Sequence, residues 1–244
     1  MKHTYWLINL YFDHTLRVKQ LLSDVDLKSY ATLGNYGSMA LTIQRRTQAE
    51  RTAASDAAMF KAAIKLIASE GPSSMTLTKI GKESGFSGGL VSYRFGSKQN
   101  LLIATAERIL DLWQKRVVEP ANLDADTLDG LEMIVRLYFK AVRSRSDLMM
   151  AQVRLMNDSY SSYRELQPAF QEYDRQLRAN IIDHIERARA KGEVKPDADA
   201  QTFAITLMGM LRGIALQSFV DPKAIDLDKA EQSAIDVIEA ILRA

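Results

Sequence analysis

The chain has 244 residues, 47% hydrophobic and 25% charged, which is ordinary globular material sized for one domain of moderate bulk or two small ones. It has no cysteine, which excludes disulfides, thiolate metal sites and cysteine nucleophiles; no run approaches eighteen apolar residues, so no membrane span is expected and a cytoplasmic address is the default. The formal charge of +2 is unevenly spread: Arg45 to Asn100 carry nine Lys/Arg against four Asp/Glu, whereas Leu101 to Ala244 carry nineteen against twenty-three. A nucleic-acid-binding head on a neutral or acidic body has that asymmetry, and so do some bland charged surfaces.

In chain order, residues 1–44 read as an extension, loosely ordered or not translated, because their aromatics repeat with no clear period; a docked helix from Thr15 to Leu27 is the remaining alternative. A chain starting at Met39 is expected to fold and bind its partners as the full chain does, and a large loss of thermal stability on that truncation would show the extension to be packed. Gln48 to Glu70 form an amphipathic helix, with Phe60, Ala63, Ile64, Leu66 and Ile67 at helical spacing before Gly71-Pro72 stops it. Thr76 caps the short run LTKIGKES, Gly85 ends it, and Ser87 caps Gly88 to Phe95. Ser97 caps a longer helix, Gln99 to Val118, which Glu119-Pro120 ends. Further helices are expected over Thr127 to Arg145, Asp147 to Asn157, Gln167 to Lys191, Ala198 to Phe219 and Asp226 to Arg243. No stretch alternates as a strand, so the expected class is all-α.

Two short helices around a glycine turn make a helix-turn-helix. Ile80 must bury between them, position 81 must be small, Gly85 must turn the chain, and Phe86, Val91 and Phe95 must complete the core. The stretch MTLTKIGKESGFSGGLVSYRFGSKQNLL resembles the DNA-binding signature of the TetR family of bacterial repressors at Thr76, Ile80, Gly85, Ser87, Gly89, Phe95, Ser97, Lys98 and Leu101. It departs from that signature at Gly81 and Ser84, where alanines are usual, and at Ser92 and Arg94, where tyrosine and histidine are usual. The resemblance implies a helix-turn-helix domain over residues 45–100, with the motif at 76–95, and a helical effector-binding and dimerisation domain over 101–244. Gly192 to Pro222 further resembles the C-terminal domain of the betaine-regulator branch. The implied function is a dimeric transcriptional repressor that a small-molecule effector releases from a near-palindromic double-stranded DNA operator. A helical small-molecule binder or interaction module that keeps the fold without operator recognition is the alternative, and Gly88 and Ser92 keep it open.

A recognition helix enters the major groove by its N-terminal end, where unpaired amides and the positive end of the macrodipole face phosphate. Gly89 suits close backbone approach there, whereas Gly88 stands where relatives often carry a polar or basic side chain. Base reading then falls to Thr78, Leu90 (whose apolar tip suits a thymine methyl), Ser92, Tyr93 and Arg94. Lys98, Arg45 and Arg46 are candidate phosphate anchors, and the capping residues Thr76 and Ser87 belong to the same surface. The plainer alternatives are that Arg94 pairs with Glu83 or Glu70, that Tyr93 is packing, and that Arg45-Arg46 is a solvated arm.

In the body, Trp113, Met133, Tyr138, Met149, Phe170 and Tyr173 are candidate effector-pocket residues, although such stripes are also ordinary core. Arg136, Arg143 and Arg154 are either close to an anionic effector or on the surface. Ala204, Leu207, Met208, Leu211 and Ala215 recur on one helix face, with Ile235, Ile238 and Leu242 on the next helix, as the candidate dimer surface; the alternative is that these faces pack within one subunit. The three histidines, His3, His14 and His184, have no metal-ligand spacing, and no nucleophile motif or phosphate loop appears, so neither metal, cofactor nor catalysis is expected.

Overall fold

Hydroxyl and carboxylate caps set where the N-terminal helices begin. In the computed structural model, which describes residues 47–121 and 127–244, Thr47 opens α1 (Gln48–Glu70) with a reciprocal cap. Its amide donates to Glu50 Oε2 at 2.7 Å and its hydroxyl oxygen accepts from the Glu50 amide at 3.2 Å, so two otherwise orphaned donors are satisfied. The hydroxyl half of this cap recurs three times at the expected residues. Thr76 accepts from the Lys79 amide to open α2 (Leu77–Ser84), Ser87 from the Leu90 amide to open α3 (Gly88–Phe95), and Ser97 from the Asn100 amide to open α4 (Lys98–Trp113), each at 3.1 Å. Gly85 ends α2 at φ 81°, the left-handed region that a glycine reaches without strain.

Beyond Trp113 the expected α-helix loosens. Gln114–Val118 form a π-helical turn before the short α5 (Glu119–Ala121). The body follows as α6 (Asp129–Ser144), α7 (Asp147–Ser159), α8 (Gln167–Ala190), α9 (Ala200–Val220) and α10 (Leu227–Leu242). Among the described residues the only bridge is an isolated one between Val194 and Arg243, so the chain is all-α as expected.

The chain divides into two compact units, residues 1–57 and 58–244, and the first is described only from Thr47, as the opening turns of α1. The second unit has two apolar clusters. One joins Ile80 and Val91 of the helix-turn-helix to Leu101, Leu102, Ile109 and Trp113 of α4 and to Met149 and Leu155 of α7. The other joins α6, α8, α9 and α10 through Leu131, Phe139, Ile185, Leu207 and Ile238.

That second cluster corrects the expected dimer surface. Ala204, Leu207, Met208, Leu211, Ala215, Ile235, Ile238 and Leu242 are all buried within one subunit. α6 and α8 cover the face on which most of them lie, so none of the eight is available to a second copy. The unpartnered stripe of α9 lies on its other side. Ile205 is 62% exposed and Val220 87%, Leu216 is exposed between them, and a Cβ at Gly209 or Gly213 would meet nothing within 4 Å. Ile241 of α10 is exposed as well.

α9 is also the one described helix long and apolar enough to cross a membrane, with a mean hydropathy of 1.5 over its best window. It is not an unbroken apolar run, since Thr202, Thr206, Arg212, Gln217 and Ser218 fall within it. Arg212 breaks the apolar sequence of this continuous helix, whose inner face packs in the bundle.

Candidate nucleic-acid interface and cavity

α2 and α3 meet backbone to backbone. A Cβ at Gly81 would lie 2.6 Å from the Gly88 amide nitrogen and 2.8 Å from the Ser87 carbonyl carbon, distances that no side-chain rotation relieves. The Phe86 amide donates to the Gly81 carbonyl at 2.8 Å across the turn. Glycine at 81 is thus what lets the helices come this close. Ile80 and Val91 are fully buried between them, and Phe95 packs edge-on against Phe60 with centroids 5.5 Å apart. Phe86 is not part of this core: it is exposed at the turn.

The two glycines that open α3 exchange their expected roles. A Cβ at Gly88 would lie 3.0 Å from the Thr78 Cα, so Gly88 is small because α2 passes beside it. Gly89 faces open space, with only the Ser87 Oγ at 3.8 Å, and is the position that can carry a side chain toward a groove.

Thr78, Ser92 and Tyr93 are exposed, and Tyr93, at 84%, stands out from α3 as an aromatic with no packing role. Leu90 instead turns against the core, which weakens its assignment to a thymine methyl. Arg94 is half-buried at the end of α3. The two carboxylates expected to compete for it hold other partners: Glu70 pairs with Lys79 at 2.6 Å and Glu83 with Lys65 at 3.8 Å. The Lys98 ammonium donates to the Ser73 carbonyl at 2.8 Å, which ties the start of α4 to the 3-10 turn at Pro72–Ser74 and leaves further N–H donors of its three. The Thr76 and Ser87 hydroxyls accept capping bonds and keep their hydrogens to donate. Arg45 and Arg46 lie outside the described residues.

Below this head the body holds a cavity of about 60 Å³, measured over the space open to water centres. Trp113, Tyr138, Met149 and Tyr173, four of the six candidate effector residues, line it. Met133 and Phe170 do not. Met133 faces out of α6 at 39% exposure, and Phe170 is spent in the upper core. Trp113 and Tyr138 stack obliquely with centroids 6.1 Å apart.

Two polar residues on the wall, Gln152 and Arg212, escaped the sequence reading, which looked for methionine and aromatic stripes. The arginines it considered are committed elsewhere: Arg136 and Arg143 to Glu231, and Arg154 to the Ile67 carbonyl. Arg212 Nη1 donates to Asp174 Oδ2 at 2.8 Å and Nη2 to Oδ1, a two-pronged pair. Burial pushes the Tyr173 phenol up to about 12, and it raises Tyr138 as well, so both are neutral donors at physiological pH.

Comparison with known proteins agrees with this geometry. Residues 60–105 match the family model of bacterial regulatory proteins, tetR family, and residues 127–243 match that of the C-terminal domain of the BetI-type transcriptional repressor. The HTH-type transcriptional regulator BetI 1 of Chromohalobacter salexigens is 29% identical over 183 residues, 74% of this chain and 87% of the relative. The regulator BetI of Rhizobium meliloti is 25% identical over 187 residues, 77% of this chain and 89% of the relative. Among solved structures, SmeT, the repressor of the Stenotrophomonas maltophilia multidrug efflux pump SmeDEF, superposes with a TM-score of 0.63 at 23% identity, covering 77% of this chain and 90% of that one.

Proposed function

We propose that this chain, which belongs to the TetR family of bacterial regulatory proteins and is a DNA-binding transcriptional regulator, works as a cytoplasmic homodimer that an effector in the body cavity releases from its operator. One observation carries the DNA-binding half. The backbone contact at Gly81 fixes α3 against α2 with Gly89 facing open space at its start and with Tyr93 exposed. An α-helix so presented fits the major groove, and two of them spaced about one helical turn, roughly 34 Å, read a near-palindrome.

Lys98, Thr76, Ser87, Arg45 and Arg46 are assigned to phosphates; Thr78, Ser92, Tyr93 and Arg94 are assigned to base edges and sugar walls. The residue division of head (45–100) from body (101–244) is part of this proposal, with α4 passing from one to the other. The outward stripe of α9, with Ile241 of α10, supplies an apolar face suited to a two-fold contact.

Release follows from who lines the cavity. Trp113 of α4 and Val117 and Val118 of the π-helical turn form part of its wall, while Leu101 and Leu102 of the same α4 are buried in the core that holds Ile80 and Val91. π-turns inside helices recur at functional sites and at kinks. An effector that widens the cavity shifts α4 and with it the spacing of the two heads. A coupling of about 1–3 kcal/mol weakens operator binding roughly 5- to 150-fold. An effector that binds tightly yet leaves operator affinity unchanged would contradict this route.

Two substitutions separate anchoring from reading. Lys98→Ala is expected to weaken binding alike on every sequence and, being lost from both subunits, to flatten the salt slope by about 2 units. Tyr93→Ala is expected to cost about 1–3 kcal/mol per lost base contact and to relax preference at one position in each half-site. DNA titrations over a salt series, with melting temperatures to register loss of the Lys98–Ser73 tie, measure both. A Tyr93→Ala chain that loses affinity equally on all sequences would remove Tyr93 from the reading set.

A further inference from the structure

We propose that the body cavity takes a small uncharged molecule with an apolar body and one hydroxyl, which accepts from the Trp113 indole N–H and donates to the Gln152 amide oxygen. This names the effector class and rests on the effector reading above. Trp113 Nε1 and Gln152 Oε1 belong to residues on the wall of the same cavity, are shut from bulk water, and have no hydrogen-bond partner. Trp113 is only 4% exposed. Buried polar groups are nearly always paired, so one orphaned donor and one orphaned acceptor on one cavity call for a group that does both jobs. A hydroxyl does.

A single water also accepts and donates, but it does not fill this space. A water needs roughly 10–15 Å³ of the same measure, and it gains from more polar partners than two. About 60 Å³ is available, and the remaining lining is largely apolar, including Val117, Ile134, Leu177 and Met208.

Charge sorts the remaining ligands. Trp113, Tyr138 and Tyr173 are three aromatics of the kind that cage a quaternary ammonium. Arg212, however, sits on the same wall, and its charge bears on both tyrosines, so a cation between them would face a guanidinium. An anion would have to displace Asp174 from a guanidinium it already grips with both oxygens. An uncharged ligand meets neither penalty.

The test uses the full chain without DNA, with Trp6→Phe so that Trp113 is the sole indole, and follows its emission on titration. The probes are n-butanol, its isomer diethyl ether (which accepts but cannot donate), butyrate, n-butylammonium and choline. n-Butanol is expected to saturate with a Kd about tenfold below that of diethyl ether, the difference made by one hydrogen bond, and below those of all three ions. Gln152→Leu is expected to erase the preference between the isomers, and the isomer comparison on the unsubstituted cavity stands if that variant fails to fold. Tighter binding of choline or butyrate, equal binding of the two isomers, or no saturable binding by any probe would overturn the assignment. Operator release is read separately. n-Butanol that binds without releasing DNA would end the effector reading and leave the ligand class standing, whereas release by choline would do the reverse.

Discussion

Leu216→Glu, or Ile205→Asp about three turns earlier on the same face of α9, is expected to leave each subunit folded and to abolish both dimerisation and operator binding. Both side chains are exposed in the single subunit, so a charge there stays solvated and costs the fold little. In a two-fold contact the charge is introduced twice, once from each subunit, and each copy must be desolvated against an apolar face that offers it no partner. Losing the second head removes the avidity of a bivalent reader, worth about 10²- to 10⁴-fold in apparent affinity. Sedimentation gives the mass, which should halve, and DNA titration gives the affinity. The control is Leu207→Ala on the opposite face. That residue is buried between helices of one subunit, so its truncation should lower stability by about 2–5 kcal/mol through a cavity. A charged variant at Leu216 that stays dimeric would move the contact off this stripe.

Gly81→Ala is expected to have the next largest effect, and its direction is decided by two opposed magnitudes. Alanine in a helix interior is favoured over glycine by about 0.5–1 kcal/mol. Against that stands a methyl placed 2.6 Å from backbone that cannot rotate away, and overpacking of this kind costs about 1–3 kcal/mol and shifts the elements involved. The clash wins at Gly81, and because it pushes α3 off α2 it should weaken DNA binding more than it lowers the melting temperature.

At Gly88 the contact is 3.0 Å and the two terms come close to cancelling; at Gly89, in open space, propensity wins and alanine should stabilise. Gly89→Lys then adds a basic arm at the entering end of α3, with tighter, more salt-dependent and less selective binding expected. Gly88→Lys is expected instead to strain the helix pair. Thermal unfolding of the three alanine variants in the order Gly81, Gly88, Gly89, from least to most stable, is the outcome that supports this placement.

The caps were legible in the sequence because each is a local contract between a hydroxyl and an amide three residues on: Thr76, Ser87 and Ser97 all do what their spacing says. The buried pair Ile80 and Val91 was legible for the same reason, since a helix-turn-helix leaves little choice of inner face. Phe86 was not, because an aromatic beside a turn glycine reads as core whether the turn tucks it in or leaves it out. The covered side of α9 was not legible because the helix carries apolar residues on both sides, from Ile205 to Leu207, so periodicity shows a helix but not which side its own subunit covers. The π-helical turn at Gln114–Val118 leaves no mark on a 3.6-residue pattern. Gln152 and Arg212 became visible as cavity residues only once tertiary packing set them beside Trp113 and Tyr138.

Selection from random double-stranded DNA fragments at moderate salt is the most direct measurement of the central claim. A dimer reading with two α3 helices should enrich a sequence with two-fold symmetry, its half-sites centred about 10 base pairs apart or a multiple of that, and the Tyr93→Ala chain should lose preference at matching positions in both halves. Featureless enrichment, or binding that tracks salt and charge alone with no symmetric sequence, would contradict it and leave a helical protein that keeps this fold without reading an operator.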